Sequence, residues 1–172
     1  MANVLIKEER AIHMLVFYVQ IQKFSIISGV YATAQPRQKD AFWNHLSSIN
    51  SFFDNPWCLI CDFNELEYPA DKIGGSPVAP SRLHRLPKFL NMCQAVSLPV
   101  IGRSYTWKKR IHGNLVYEKL DRAIGRHDWN CQYPSSCVYT GPFTCSDHSY
   151  VMLDTKPAQM PQRKSLFRYQ PN

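Results

Sequence analysis

The hydrophobic pattern of this chain predicts a mixed α/β fold in one domain, and three observations carry that reading. Two β-rich stretches, IHMLVFYV and FSIISGVY, stand near the amino terminus, separated by the polar QIQK that suits a turn. From Arg37 to Ile49 the apolar residues Phe42, Leu46 and Ile49 recur at helical spacing, with Trp43 beside them. WCLICDF is then short and unbroken, as befits a central strand covered on both faces. A chain of 172 residues is long enough for one sizeable core.

The elements follow in order. The two opening stretches form a hairpin, 37–49 an amphipathic helix, and WCLICDF a strand. The polar, Gly/Pro-rich NELEYPADKIGGSPVAP is a long loop. Ser81 is positioned to cap a second helix with apolar face Leu83, Leu86, Phe89, Leu90 and Cys93, which Pro87 is expected to kink or break. SYTW, the turn-prone HGN and LVYEKLDRA return to β signals; RHDWNCQY suits one helical turn; SCVYT and YVMLDT read as strands. Residues 1–155 make the domain, and the Pro-containing, basic 156–172 reads as a linker or tail.

A formal charge of +7 and a pI near 9.2 suit a polyanionic partner, and equally a basic soluble protein without one. The six cysteines do not have the spacing of a disulfide framework or a zinc site. Cys58 and Cys61 form a C-x-x-C inside an apolar run, so the cysteines read as free, small, buried hydrophobes of a reducing compartment, with no zinc among them. AIHMLVFYV, preceded by the non-basic KEER and interrupted by His13, makes a poor signal peptide and falls short of a transmembrane length. The expected location is nuclear or cytoplasmic, neither secreted nor membrane-bound.

Polar residues gather at strand ends. Asp62 and Asn64 are two apart and share a face at the end of WCLICDF, where they suit a site on a rigid scaffold or a simple Asx turn. Asp121, between Leu120 and Arg122, reads alone as half of a surface ion pair, and Tyr31 as a packed aromatic. Asp147 and His148 are adjacent in CSDHSY; on a strand their side chains point apart, so each needs a partner elsewhere. Trp107, Lys108, Lys109 and Arg110 make a basic, aromatic segment suited to a nucleic-acid backbone, or an ordinary exposed hairpin.

The ordered series GVYA, AFW, WCLICDFNE, DKIGG, SYTWKKR, EKLDRAI and CSDHS, from about Ile12 to Asp154, resembles the endonuclease/exonuclease/phosphatase family, which includes the abasic-site endonucleases and DNase I. Within that family the series is most similar to the endonuclease domain of plant LINE-type non-LTR retrotransposons. The resemblance implies a four-layer α/β sandwich of the DNase I-like type: two mixed β-sheets packed face to face with helices outside. It implies a Mg²⁺-dependent phosphodiesterase acting on DNA. Asp62 would orient or deprotonate the attacking water, Asn64 would hydrogen-bond the scissile phosphate, and His148, held by Asp121, would face that phosphate. Asp147 would serve Mg²⁺, and Tyr31 would reach a phosphate oxygen.

The sequence departs from the family pattern in three places. The family's first strand carries a catalytic asparagine, followed by a glutamate that is the principal Mg²⁺ ligand; here only MANVLIKEER precedes IHMLVFYV, with Glu8 and Glu9 expected to be solvated charges. Cys61 stands where glycine is usual, and Pro87 interrupts a helix. The expectation is therefore an endonuclease domain missing its N-terminal strands, with a bare central sheet edge, weakly bound Mg²⁺ and impaired catalysis. The alternatives are an inactive remnant that binds nucleic acid or protein, or a phosphoesterase of the same fold acting on another phosphate.

Overall fold

The computed structural model describes residues 1–157. The tail expected over 156–172 lies, from residue 158 onward, outside the described residues. Three opening strands, β1 (Ala2–Lys7), β2 (Ala11–Tyr18) and β3 (Lys23–Tyr31), lead into α1 (Pro36–Ile49). Then come β4 (Trp57–Asp62), β5 (Lys72–Ile73), α2 (Arg85–Met92), β6 (Ala95–Ser97) and β7 (Val100–Gly102). The hairpin β8 (Trp107–Ile111) and β9 (Asn114–Glu118), then β10 (Asp121–Arg126), α3 (His127–Gln132), β11 (Cys137–Thr140) and β12 (Val151–Asp154), complete the order.

β4 organises the molecule. It lies within a six-stranded mixed sheet of order β1-β2-β3-β4-β10-β6, parallel to β3 and antiparallel to β10. Its alternation is read on both faces, as its unbroken apolar run predicts. Trp57 and Leu59 enter a core with Trp43, Leu46 and Phe89 of α1 and α2. Cys58 enters a second core with Trp129, Tyr133 and Val138, backed by Val100, Val151 and Leu153 of the mixed sheet β12-β11-β7. The layers are thus helices, six-stranded sheet and second sheet. The third sheet, β5-β9-β8, is a hairpin with one short added strand, turned by His112 (φ 47°) and Gly113 (φ 82°) in the left-handed region that tight hairpin turns require.

Four expectations are corrected. MANVLIK, assigned no element from the sequence, is strand β1, antiparallel to β2, and it forms the edge of the sheet, exposed along its whole length. Pro87 does not break α2, because the helix begins at Arg85 and Pro87 falls in the first turn, whose N–H groups have no intrahelical acceptor. Ser81 caps nothing; it lies in a single 3₁₀ turn, Pro80–Arg82, and His84 precedes the helix. LVYEKLDRA is two strands in different sheets, since the chain leaves the hairpin after Glu118 and joins the main sheet at Asp121.

Candidate active site

Tyr31, Asp62 and Asp121 stand side by side across β3, β4 and β10. The register opposes Tyr31 to Asp62, and Asp62 to Asp121. Asp121 is therefore at the start of its strand rather than the end, and antiparallel pairing brings it to the carboxyl end of β4. Two acidic side chains face each other across adjacent strands, an arrangement that costs energy unless other groups compensate. His148 compensates, since its Nδ1 lies 2.8 Å from Asp121 Oδ2.

The Asp147–His148 segment is strapped to the start of β8. Lys108 N–H donates to the Asp147 carbonyl (2.9 Å), and Ser149 N–H to that of Thr106 (2.7 Å). The adjacent side chains have separate partners, as their spacing requires: His148 reaches Asp121, while Asp147 Oδ2 accepts from Trp107 Nε1 at 3.1 Å. Thr106, 1% exposed, holds the other half of the pair, its Oγ1 accepting the backbone N–H groups of Leu120 (3.0 Å) and Asp121 (2.8 Å). Sequence reasoning passed over this threonine because in a strand it signals only β preference.

Asp62 is 6% exposed and closes an Asx turn while facing the cleft, so its two sequence readings are compatible. Its Oδ1 accepts the Asn64 backbone N–H and its Oδ2 the Asn64 amide, both at 2.8 Å. The Asn64 amide also donates to the Ala32 carbonyl (2.8 Å), so both its hydrogens are engaged within the protein. The expected bond from Asn64 to a phosphate requires releasing one of them. Burial pushes the Asp62 carboxyl up to about 6, with the Asn64 backbone bond opposing and the Asp121 charge adding to the rise. The hydrogen bond to Asp121 raises the His148 midpoint above 6.5, against burial, which lowers it.

Two clefts meet at Asp147. The larger, about 880 Å³, is lined by Tyr31, Asp62, Asp121 and His148, and also by Glu8 and Glu9. Glu9 is solvated, as expected; Glu8 is not, standing 2.9 Å from His45 Nε2 and 3.9 Å from His13 Nε2. The smaller, about 490 Å³, is richer in cations: Lys39, Arg82, Arg85 and Lys109 line it with Asn64, Trp107 and Glu118, the first three ion-paired to Glu65, Glu118 and Asp40 respectively. The basic segment divides accordingly. Trp107 and Lys109 face this cleft, Lys108 lies over the Phe143 ring, and Arg110 turns back to the Gly113 carbonyl. Cys61 (φ 109°) occupies a conformation that suits glycine, and it is exposed, as are Cys131 and Cys145; only Cys58, Cys93 and Cys137 fit the expectation of buried thiols.

The carboxylates do not form a cation cage. Asp62 is occupied by Asn64, Asp121 by His148, Asp147 by Trp107 and Glu8 by the histidines, and among the described residues no three His, Cys, Asp or Glu side chains converge as a ligand set. The residues present therefore do not fit a tightly held Mg²⁺.

This arrangement of sheets and helices is the DNase I-like endonuclease fold. The backbone is similar to the endonuclease domain of TRAS1, a telomere-specific non-LTR retrotransposon, with a TM-score of 0.71 and 9% identity, over 92% of this chain and 70% of that one. It is similar also to the abasic-site (AP) endonuclease LMAP from Leishmania major (TM-score 0.61, 14% identity, 87% of this chain, 56% of that one). A third is a beta toxin from Staphylococcus aureus (0.51, 12%, 85% and 53%). The chain spans little more than half the length of the latter two. No protein-family model matches the sequence, and no curated protein matches it. Among the described residues no helix is long and apolar enough to cross a membrane.

Proposed function

We propose that this chain is a DNA endonuclease domain of the kind carried by non-LTR retrotransposons, the plant LINE type among them, hydrolysing phosphodiester bonds only feebly. The observation that carries the proposal is the Asp121–His148 pair, 2.8 Å apart, beside Asp62 at the end of the same sheet and open to one cleft. Phosphodiester hydrolysis needs a base for water and positive charge where the phosphate oxygens become more negative. Asp62, ionised above about pH 6, is the base, and the imidazolium of His148, oriented by Asp121, is the donor to the phosphate. Tyr31, exposed at the cleft, reaches a phosphate oxygen.

The two clefts sort the rest of the substrate by charge. Lys109, with the carboxylate-paired Arg82 and Arg85 beside it, supplies a basic wall for the DNA backbone, with the Trp107 ring alongside. Carboxylates dominate the other wall; a divalent cation drawn there would have Asp147 as its nearest free-facing carboxylate and, with no converging set of three ligands among the described residues, would be held loosely. Loose placement of such an ion would leave the scissile phosphate poorly positioned, which is the reason for proposing feeble cleavage. The ordered motifs and the likeness to the TRAS1 domain support this reading, and a nuclear or cytoplasmic location belongs with it.

The test is nicking of supercoiled plasmid in Mg²⁺, with salt-dependent DNA binding measured on the same preparation. Slow nicking abolished by Asp62→Ala and by His148→Ala, with binding retained, is the expected result. Salt-dependent binding with no nicking at any Mg²⁺ concentration would make the chain a binding remnant. Nicking at the rate of a complete DNase I-like enzyme would overturn the weak-cation reading.

A further inference from the structure

Lys39 is the one lysine among the described residues classed as buried, at 8% exposed. A buried ammonium is expensive unless its donors are satisfied. From α1 it reaches across to the segment following β4, where Nζ donates to the Asn64 carbonyl at 2.6 Å and lies 3.1 Å from Glu65 Oε1. Glu65 is fully buried, its Oε1 also held by Arg85 Nη1 at 3.2 Å and its Oε2 without a hydrogen-bond partner, so Lys39 helps to satisfy this charge, but the ion pair accounts for only one of its two contacts. The bond to the Asn64 carbonyl needs another explanation. Asn64 sits at φ 50°, in the left-handed region, and from there folds its backbone N–H and its side-chain amide back onto the two Asp62 oxygens. Lys39 fastens the far side of the residue that clasps Asp62.

We propose that Lys39 is a positioning residue for Asp62: its ammonium pins the Asn64 carbonyl and thereby holds the turn that presents the Asp62 carboxylate to the cleft. The importance of this rests on Asp62 being the base of the proposed hydrolysis, but the coupling is physical and is measured without any reaction. Lys39 also stands among the charges that favour ionised Asp62, with His148 and against Asp121. Removing it loosens the clasp and withdraws a positive charge, and both changes make the Asp62 carboxyl harder to ionise.

The experiment is NMR on the intact chain, reading the Asp62 side-chain carbon against pH and the exchange of the Asn64 backbone amide. In Lys39→Met the Asp62 midpoint is expected to rise above that of the parent and Asn64 exchange to quicken at least tenfold, whereas Lys39→Arg restores both. If Lys39→Met does not fold, Lys39→Met combined with Glu65→Met leaves no buried charge unpaired at that point and is read in the same way. An unchanged or lowered Asp62 midpoint with a protected Asn64 amide overturns the proposal, as does failure of both variants to fold, which would assign Lys39 to stability alone. Absent nicking with the midpoint shift intact would count against the nuclease reading and leave this one standing.

Discussion

Asp62 carries its charge where burial resists it, and the direction of that conflict governs how the protein responds to pH. Its carboxyl is raised from 3.8 to about 6, so between those values the folded protein keeps a proton that the unfolded chain has released. Stability therefore falls as pH climbs through that window. His148 acts over a different range: its raised midpoint means that the pair with Asp121 stabilises the fold below pH 6.5, and that this contribution is lost as pH rises through the raised value. Asp121→Asn keeps an acceptor for Nδ1–H but removes the charge. The His148 midpoint, followed by imidazole NMR, should drop below the parent's. Cys61 is strained at φ 109°, a conformation costing a side chain on the order of 1–3 kcal/mol. Cys61→Gly should raise stability in urea denaturation by about 1 kcal/mol once the greater freedom of unfolded glycine is deducted. It should not speed nicking, because no cation ligand is added.

Elements were legible where their cause is local. The Phe42, Leu46 and Ile49 spacing located α1 to within one residue of its observed Pro36–Ile49 span, and the unbroken WCLICD located β4. β1 was not legible: its six residues are all exposed, so no buried face marks it, and it is a strand because β2 presents an edge to pair with. α2 shows a local rule applied in the wrong frame, since a proline breaks a helix interior but not a first turn. Pro87→Ala should accordingly change stability by less than about 1 kcal/mol, against about 3 for a proline placed mid-helix; urea midpoints of the two proteins decide. The same limit applies to the site. Asp62, Asn64, Asp121 and His148 could be picked out by their motifs, but Lys39 could not, because its partner Asn64 is 25 residues away and a lysine on a helix reads as solvated.

For the whole molecule, one sheet end gathers what the sequence distributes over 118 positions from Tyr31 to His148. β3 and β4 run parallel and β10 antiparallel, so two strand ends and one strand start arrive together. The β8–β9 hairpin straps the S-D-H segment over them, and the cleft that results has an acidic side and a basic side. In the proposed function Asp62 and His148 work there as base and charged donor. The most direct measurement is the initial rate of plasmid nicking in Mg²⁺ as a function of pH, for the parent and Asp121→Asn. With Asp62 as base and His148 as charged donor, the parent rate rises as pH passes through about 6, where Asp62 ionises, and declines above the raised His148 midpoint, with the upper limb moved to lower pH in Asp121→Asn. A profile without an acid limb near 6, or an upper limb that Asp121→Asn leaves in place, would contradict it.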